Sequence, residues 1–390
     1  MEDILKKINL VLVFVSMIIL TIQANEFRYS ETTFGQLLIN VQPNYQIDKH
    51  IKLEGMIIDY DIAKDTGDLI VIEKKSNEDF SIYFFDNRGN KKWEKSKQKP
   101  INCEISDFGN IIVISSRTSN EIYDQYGEMI SSKEMFENYL LPSPDGRFFY
   151  TKTGMMSGEQ KEMIIYDQEL NRHKIHSPEL DDMRRIRYRF VTNDRMLAYI
   201  DGTLKILSFK DYEINFLGAE YVDRGKHLGE FEGTFHDNKT DYSKYFVGVV
   251  AGDVGLYVFN MSGNLVFRDE TPYDEFRFID DYSLIASQQG VRNYMKVIDL
   301  KNNQERTFNF AFYSNSFGIS NFDSITKINN HLFCNVNQGP SPYCLVIDLK
   351  DSSEPVYSLP NYSFYKINNK IYVIVESSNP EIFILTEKGN

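Results

Sequence analysis

The chain has 390 residues, with 43 basic and 56 acidic side chains and a formal net charge of −13. This acidic excess excludes a general nucleic-acid binder, which needs the opposite balance. Hydrophobic residues make up 42% of the chain and aromatic residues 14%, which excludes a disordered chain and favours strands over helices.

The N-terminal segment predicts export. Lys6 and Lys7 precede an apolar run over residues 8–22, and Ala24 follows as a small residue suited to cleavage. This is the order of a secretory signal, and the run is shorter than the ~20 residues that a membrane-spanning helix needs. We expect a signal peptide over residues 1–24 and a secreted or periplasmic protein. The alternative is an uncleaved signal anchor, which would be the chain's membrane contact.

A polar turn that ends a strand-like run recurs eight times, roughly 40 to 50 residues apart, which is the spacing of propeller blades. A short acceptor at the start of most of these turns can hydrogen-bond the backbone two residues on. The Gly, Asn or Asp that closes the turn tolerates a positive φ. These acceptors are Asp86, Asp124, Asp167, Asn260, Asp299 and Asp348.

A second row of tight turns alternates with the first. It begins at Asp65, Asp107, Asp145, Asn193, Asp241, Asp280, Asn329 and Asn368. Each turn precedes a strongly apolar run, as expected of a strand buried on both faces. The two rows predict an all-β fold, a single β-propeller of about eight four-stranded blades over residues 55–390. Seven blades are the alternative, with the fourth unit the weakest.

The segment before the first unit, residues 25–54, predicts how the ring closes. The eighth unit reaches residue 390 where its outermost strand should begin, and an open edge there would be a liability. Residues 37–41 form an apolar run with no partner of its own. We expect this run to pair with residues 382–386 as the missing outer strand.

Two stretches resemble known propeller repeats. Residues 85–94, Phe-Asp-Asn-Arg-Gly-Asn-Lys-Lys-Trp-Glu, resemble the quinoprotein-type (PQQ-like) repeat, and residues 142–150, Pro-Ser-Pro-Asp-Gly-Arg-Phe-Phe-Tyr, resemble the WD40-like repeat of periplasmic TolB-type propellers. The resemblance implies a propeller fold and an envelope location. Because Trp93 is the only tryptophan and no Trp-Asp dipeptide occurs, no cofactor ligand carries over, and we expect no quinone or other cofactor.

Three cysteines are too few for a disulfide framework. Cys334 and Cys344 flank a turn sequence, and a hairpin centred on Gly339 would place them directly opposite each other, near disulfide range. A bridge and two buried free thiols are the two interpretations, and Cys103 would stay single.

A row of arginines is the first candidate site. Arg185, Arg187 and Arg189 alternate with apolar residues, so on a strand the three guanidinium groups share one face. They could bind a carboxylate or phosphate, or pair with Asp181 and Asp182 nearby.

The second candidate site lies in the interval 218–237, where histidines and carboxylates crowd together; its residues are His227, Glu230, His236 and Asp237. A metal or acid–base site and a solvated loop are the two interpretations.

The acidic run Asp59, Asp61, Asp65 and Asp68 lacks the Gly and terminal Glu of an EF-hand loop, and its last two members suit turns. We expect no metal site.

Loop lengths indicate the working surface. In a four-stranded blade both turn rows lie on one face, and the other connections lie on the opposite face, where the longer ones are residues 154–161, 218–237, 288–293 and 335–342. We expect this long-loop face to bind a protein or small molecule and no nucleic acid. A non-enzymatic binding or assembly scaffold is the expected function, and a lactonase- or lyase-like enzyme with a site at the channel mouth is the alternative.

Overall fold

A computed structural model describes residues 45–134, 139–152, 162–175, 186–200, 203–217, 221–222, 231–233, 246–251, 255–260, 262, 264–271, 273–280, 282–288, 294–309, 322–336, 343–349 and 355–388. All regular elements within these ranges are β-strands. None of the described residues belongs to a helix with the length and apolar character needed to cross a membrane.

Eight antiparallel sheets follow one another along the chain, and we call them blades 1 to 8. Blade 1 comprises β2 (Met56–Ile62), β3 (Leu69–Lys74), β4 (Phe80–Phe85) and β5 (Lys91–Lys97). Blade 2 comprises β6 (Asn102–Ile105), β7 (Ile111–Ser115), β8 (Ser119–Asp124) and β9 (Met129–Glu134). Blade 3 comprises β10 (Tyr139–Pro142), β11 (Phe149–Lys152), β12 (Ile164–Tyr166) and β13 (Arg172–Lys174).

Blade 4 comprises β14 (Ile186–Thr192), β15 (Arg195–Ile200), β16 (Thr203–Lys210) and β17 (Glu213–Phe216), and β18 (Tyr221–Val222) also pairs with β16. Blade 5 comprises β19 (Phe231–Gly233), β20 (Phe246–Ala251), β21 (Gly255–Asn260) and β22 (Leu265–Asp269). Blade 6 comprises β23 (Tyr273–Phe278), β24 (Ser283–Gln288), β25 (Tyr294–Asp299) and β26 (Gln304–Asn309).

Blade 7 comprises β27 (Phe322–Ile328), β28 (His331–Val336), β29 (Tyr343–Asp348) and β30 (Pro355–Pro360). Blade 8 comprises β31 (Tyr362–Ile367), β32 (Lys370–Val375), β33 (Glu381–Glu387) and, from the other end of the chain, β1 (Tyr45–Lys52). The predicted all-β propeller of eight four-stranded units is confirmed, including the weak fourth unit.

The turn chemistry explains where the strands reverse. Asp86 Oδ1 accepts hydrogen bonds from the backbone N–H groups of Arg88 and Asn90, both at 2.9 Å. Gly89 in this turn has a φ of 74°, which a side chain would strain. The equivalent turn of blade 2 repeats the pattern, with Asp124 Oδ1 accepting from Tyr126 N–H at 2.9 Å. The predicted acceptor role of the first turn row is confirmed here.

The four strands of a blade run from the centre of the ring outwards. First strands of neighbouring blades contact one another, as β2 and β6, β6 and β10, and β27 and β31 do. Fourth strands such as β5 and β9 are mostly exposed, whereas the second strand β7 is buried along its whole length. The apolar runs after the second turn row are therefore second strands covered on both faces.

Neighbouring blades are held together by apolar clusters between their faces. Among the described residues these clusters join blades 1 and 2, 2 and 3, 3 and 4, 5 and 6, and 7 and 8. A further cluster joins blade 8 back to blade 1, with Ile374 and Ile382 packing against Leu69 and Val71. Burial between blades is thus the main stabilising contribution to the fold.

Strand β1 completes blade 8. It pairs antiparallel with β33, from Tyr45 opposite Glu387 to Lys52 opposite Glu381. An N-terminal strand therefore supplies the missing outer strand, but the choice of residues 37–41 for this role was wrong, and those residues lie outside the described part. An outer strand is half solvated, so the amphipathic β1 suits the position better than a uniformly apolar run.

The hairpin of β28 and β29 corrects the expected cysteine pairing. Val336 pairs with Tyr343, so Cys334 lies opposite Leu345 and Cys344 opposite Asn335. The register differs by one residue from a hairpin centred on Gly339, which sends the two thiols to opposite faces of the sheet. Cys103, Cys334 and Cys344 are buried free thiols.

A buried carboxylate fixes the connection between blade 8 and blade 1. Glu73 on β3 has no exposed surface, and its Oε1 accepts hydrogen bonds from the N–H groups of Glu54 and Gly55 at 2.5 and 2.6 Å. Its Oε2 accepts from the Tyr83 hydroxyl at 2.7 Å. Since residues 53–55 link β1 to β2, Glu73 anchors the closing strand. A Cβ on Gly55 would lie 2.2 Å from the Lys74 carbonyl oxygen, so the link requires glycine there.

We expect Glu73→Ala to lower the free energy of unfolding by roughly 3 kcal/mol, because it leaves two part-buried N–H donors and the buried Tyr83 hydroxyl without an acceptor. Glu73→Gln, whose amide oxygen still accepts, should lose less. Chemical denaturation measures both. Glu78→Ala on the neighbouring exposed turn is the control, expected within about 0.5 kcal/mol of the unsubstituted protein. Equal losses for Glu73→Ala and Glu78→Ala would contradict this role.

Candidate functional site

The inner strands meet at the centre of the ring with unpaired edges. Alternate N–H and C=O groups of a first strand have no partner within their own sheet. At the junction of blades 1 and 2, Asp59 Oδ2 accepts from Cys103 N–H at 2.8 Å and from Asn102 Nδ2 at 3.0 Å. Asp61 Oδ2 accepts from Ile105 N–H at 2.9 Å. These carboxylates on β2 therefore cap the open edge of β6.

The same device recurs between blades 7 and 8. Thr326 Oγ1 donates to the Phe364 carbonyl at 2.8 Å, and Asn335 Oδ1 accepts from the Phe364 N–H at 3.2 Å. At the next junction the hydroxyls of Tyr60 and Tyr365 lie 2.9 Å apart, and Tyr60 donates to Glu376 at 3.4 Å. Polar side chains of the inner strands are thus used to join one blade to the next.

The channel-side acids are electrostatically unfavourable in their charged form. Burial raises the pKa of Asp61 well above its usual range, and the Glu104 carboxylate raises it further. The hydrogen bond from Ile105 N–H and the charge of Lys64 oppose this rise in pKa. Burial also raises the pKa of Asp59, against the hydrogen bonds from Cys103 and Asn102. Asp65 and Asp68, the other two members of the acidic run, belong to the second row of turns, as predicted.

The face that carries both turn rows, here the short-turn face, is tied together by hydrogen bonds between blades. Asn368 of blade 8 donates to the Asp65 carbonyl at 2.8 Å, and Asp65 N–H donates to the Asp107 carbonyl at 2.9 Å. The series continues from blade 2 to blade 4, where Asp145 N–H donates to Asn193 Oδ1 at 2.9 Å. Much of the polar surface of these turns is therefore engaged within the protein.

The opposite, long-loop face divides into two halves. Over blades 8, 1 and 2 its connections are short: residues 53–55, 75–79, 116–118 and 376–380 each link two strands directly. The longer connections all lie between residues 153 and 342, in blades 3 to 7. Of the predicted loops, residues 154–161 and 337–342 and most of 288–293 lie outside the described residues.

The interval 218–237 is not one continuous loop. It contains β18, which extends the outer side of blade 4, and β19, the first strand of blade 5. The sequence analysis missed these strands because they are only two and three residues long, too short to form a recognisable apolar run. His227, Glu230, His236 and Asp237 themselves lie outside the described residues, and their grouping as a site stays a prediction.

The arginine row belongs to an inner strand. Arg187 and Arg189 lie on β14, opposite Tyr199 and Leu197, and the intervening Tyr188 is buried. Arg189 is half-buried beside Tyr150: burial raises the pKa of the tyrosine and the guanidinium lowers it. Arg185 and the acids Asp181 and Asp182 lie outside the described residues, so anion binding by this row stays a prediction.

Metal-ligating side chains do not converge within the described ranges, where no group of three or more His, Cys, Asp or Glu is placed to hold an ion. His173 on β13 instead contacts Asp167, with Nε2 2.9 Å from Oδ2, and its ring stacks on Tyr212 at 3.9 Å between centroids. It supports a turn.

Two functional features escaped the sequence analysis. Tyr60 and Tyr365 join blade 1 to blade 8 although they are 305 positions apart, and Glu73 joins blade 1 to the link after β1, 18 and 19 positions before it. A signal for Glu73 exists, since it is the one acid in the apolar run Leu-Ile-Val-Ile-Glu-Lys of β3. The tyrosine pair has no such local signal, because its two members are distant in sequence.

Comparison with known proteins agrees with this architecture. No family model matches the sequence, and no curated protein matches it either. Among solved structures, BamB from Moraxella catarrhalis superposes with a TM-score of 0.53 at 13% identity, covering 89% of this chain and 98% of the other. Saccharomyces cerevisiae Sqt1 gives 0.53 at 11% identity, covering 89% and 98%. The Dos1 propeller gives 0.50 at 9% identity, covering 88% and 95%.

These similarities define the class. The chain has a β-propeller fold, as these three structures do. Identities this low show the fold alone.

The raised pKa of Asp61 gives a pH prediction. A carboxyl whose pKa is raised by folding favours the protonated form in the fold, so the stability it contributes is present at low pH and lost as pH rises through the folded pKa. We expect Asp61→Asn to flatten the fall in unfolding free energy as the pH rises above about 4, the ordinary pKa of an aspartate, measured by urea titrations. The exposed Glu78→Gln should leave the slope unchanged. An unchanged slope for Asp61→Asn would show that folding does not raise the pKa of this carboxyl.

Proposed function

We propose that the protein is a non-enzymatic binding scaffold outside the cytoplasm, which holds a protein partner on its long-loop face over blades 3 to 7. The single observation that carries the proposal is the division between the two faces. The short-turn face consumes its polar groups in hydrogen bonds between blades. The longer connections are concentrated on one half of the opposite face, and connections on a rigid scaffold are where binding residues gather.

The inner strands support a scaffold over an enzyme. Asp59 and Asp61 accept backbone hydrogen bonds from the next blade, and Tyr60 and Tyr365 bond to each other across a junction. Each of these groups therefore has a structural role at the channel wall, where the alternative lactonase- or lyase-like site would need free acids and bases.

The net charge and the N-terminal segment support the kind of partner and the location that we propose. A net charge of −13 favours a basic or neutral partner over nucleic acid or an anionic membrane surface. The order of Lys6 and Lys7, an apolar run and Ala24 supports export. Strand β14, which carries the arginine row, begins on the long-loop face. We propose that these arginines bind an acidic side chain of the same partner.

We expect composition-preserving scrambles of residues 154–161, 289–293 and 337–342 to abolish capture of the partner from the extracytoplasmic fraction. The melting temperature should stay within about 2 °C, since surface changes away from the core cost little. Scrambling residues 76–79, in a connection of the same face in blade 1, is the matched control and should leave capture intact.

Two outcomes would contradict the proposal. Capture that survives the three scrambles places the partner elsewhere. Loss of capture after changes to the short-turn face, in a protein that stays folded, would show that the partner binds that face instead.

A further inference from the structure

A groove of about 410 Å³ separates the outer strands of blades 8 and 1. One wall is β1 and the other is formed by β4, β5 and the turn between them. The residues that line it are Lys49, His50, Ile51, Lys52, Leu53, Glu54, Lys75, Tyr83, Phe85, Gly89, Lys91 and Glu94. The groove lies at the outer rim, away from the loops assigned to the partner above.

The groove is long rather than round. Strands β1 and β5 are the fourth strands of adjacent blades, so both run from the short-turn face to the long-loop face. Lys49 contacts Gly89 at one end, and Glu54 and Lys75 lie at the other. The wall formed by residues 49–54 spans roughly 20 Å at about 3.3 Å per residue, which is the length of an extended segment of about six residues.

Positive charge dominates its lining, where four lysines face two glutamates. Of the β5 lysines only Lys91 lines the groove, because Lys95 and Lys97 lie against Tyr123 and Glu121 of blade 2. In a chain with a net charge of −13, this rim is a local reversal of sign. It therefore attracts acidic groups that the rest of the surface repels.

Two of the ammonium groups are held in place. The Nζ atoms of Lys75 and Lys91 lie 5.6 and 5.5 Å from the centre of the Tyr83 ring, a distance at which cation–π attraction acts. The buried Tyr83 hydroxyl is fixed by Glu73. The ring thus positions two positive charges along the groove before any ligand arrives.

The existing ion pairs leave these charges available. Lys91 lies 2.6 Å from Glu94, and Lys52 lies 3.5 Å from Glu381. Lys75 lies 3.6 Å from Glu94, 3.9 Å from Glu54 and 4.0 Å from Glu73. Such pairs at an exposed surface contribute about 0–1 kcal/mol. A ligand with several carboxylates can replace them at little cost.

We propose that this groove binds an extended acidic peptide segment of a partner protein. The lysines are spaced along two strands, which matches carboxylates repeated along a chain. A single compact anion would need convergent donors, whereas these donors lie at both ends and in the middle. Glu54, 85% exposed at the long-loop end, sets the limit of the positive stretch.

The test uses the mature full-length protein and a fluorescein-labelled, eight-residue polyglutamate peptide, with fluorescence anisotropy as the readout. We expect saturable binding that weakens steeply between 50 and roughly 200 mM salt, because the contacts are between exposed charges. The double variant Lys49→Gln, Lys91→Gln keeps the aliphatic stems that pack on the groove and should weaken binding at least tenfold. Lys210→Gln, Lys301→Gln removes the same charge from exposed sites on blades 4 and 6 and should change it less than twofold.

Three results would overturn the proposal. They are the absence of saturable binding, an equal loss in the control variant, and displacement of the peptide by tripolyphosphate as effectively as by unlabelled polyglutamate. The last result would assign the lysines to a phosphate-type anion instead of a peptide. Melting temperatures of both variants within about 2 °C of the unsubstituted protein exclude unfolding as the cause of a loss.

Discussion

A sheet that is apolar on both faces is stable only between two neighbours, and this constraint governs the whole molecule. Strand β7 is buried along its entire length, so blade 2 depends on blades 1 and 3. Each blade in turn needs a neighbour on both faces, so blade 8 must pack against blade 1. The pairing of β1 with β33 and the anchoring of residues 53–55 by Glu73 meet that requirement.

The inner strands follow from the same constraint. Their free edges meet at the centre, where unpaired N–H and C=O groups would be costly. Side chains of one blade cap the next, as Asp61 does for Ile105 and Asn335 for Phe364. This use of polar residues explains why Asp59 and Asp61 occur on an inner strand. The binding surfaces that we propose lie at the periphery, on the long connections of one face and in the lysine groove at the rim.

Much of the fold was predictable because its signals are local and repeated. A turn such as the one begun by Asp86 needs only its own six residues, so eight copies reveal eight blades. The closing strand was placed in the N-terminal segment, but in the wrong run, because hydrophobicity favours residues 37–41 while an outer strand needs the mixed character of β1. The cysteine prediction missed by one residue, since a register depends on the exact form of the turn.

The candidate sites were harder to predict. Tyr365 gains its role from Tyr60, 305 positions away, and no spacing within the chain encodes that proximity. Glu73 and the groove lysines act together with residues on neighbouring strands and links, which become neighbours only in the folded blades. The arginine row shows the opposite case, because its alternation on β14 was readable from the sequence while its ligand was not.

Native-state hydrogen exchange tests ring closure most directly. If β1 is an integral strand of blade 8, the amides of β1 and β33 should exchange with the same opening free energy as those of β2 and β3. Glu73→Ala should then raise the exchange rates of β1 and β33 together, although they lie at opposite ends of the sequence. Exchange of β1 at the rate of an unprotected chain, with β33 still protected, would contradict the account.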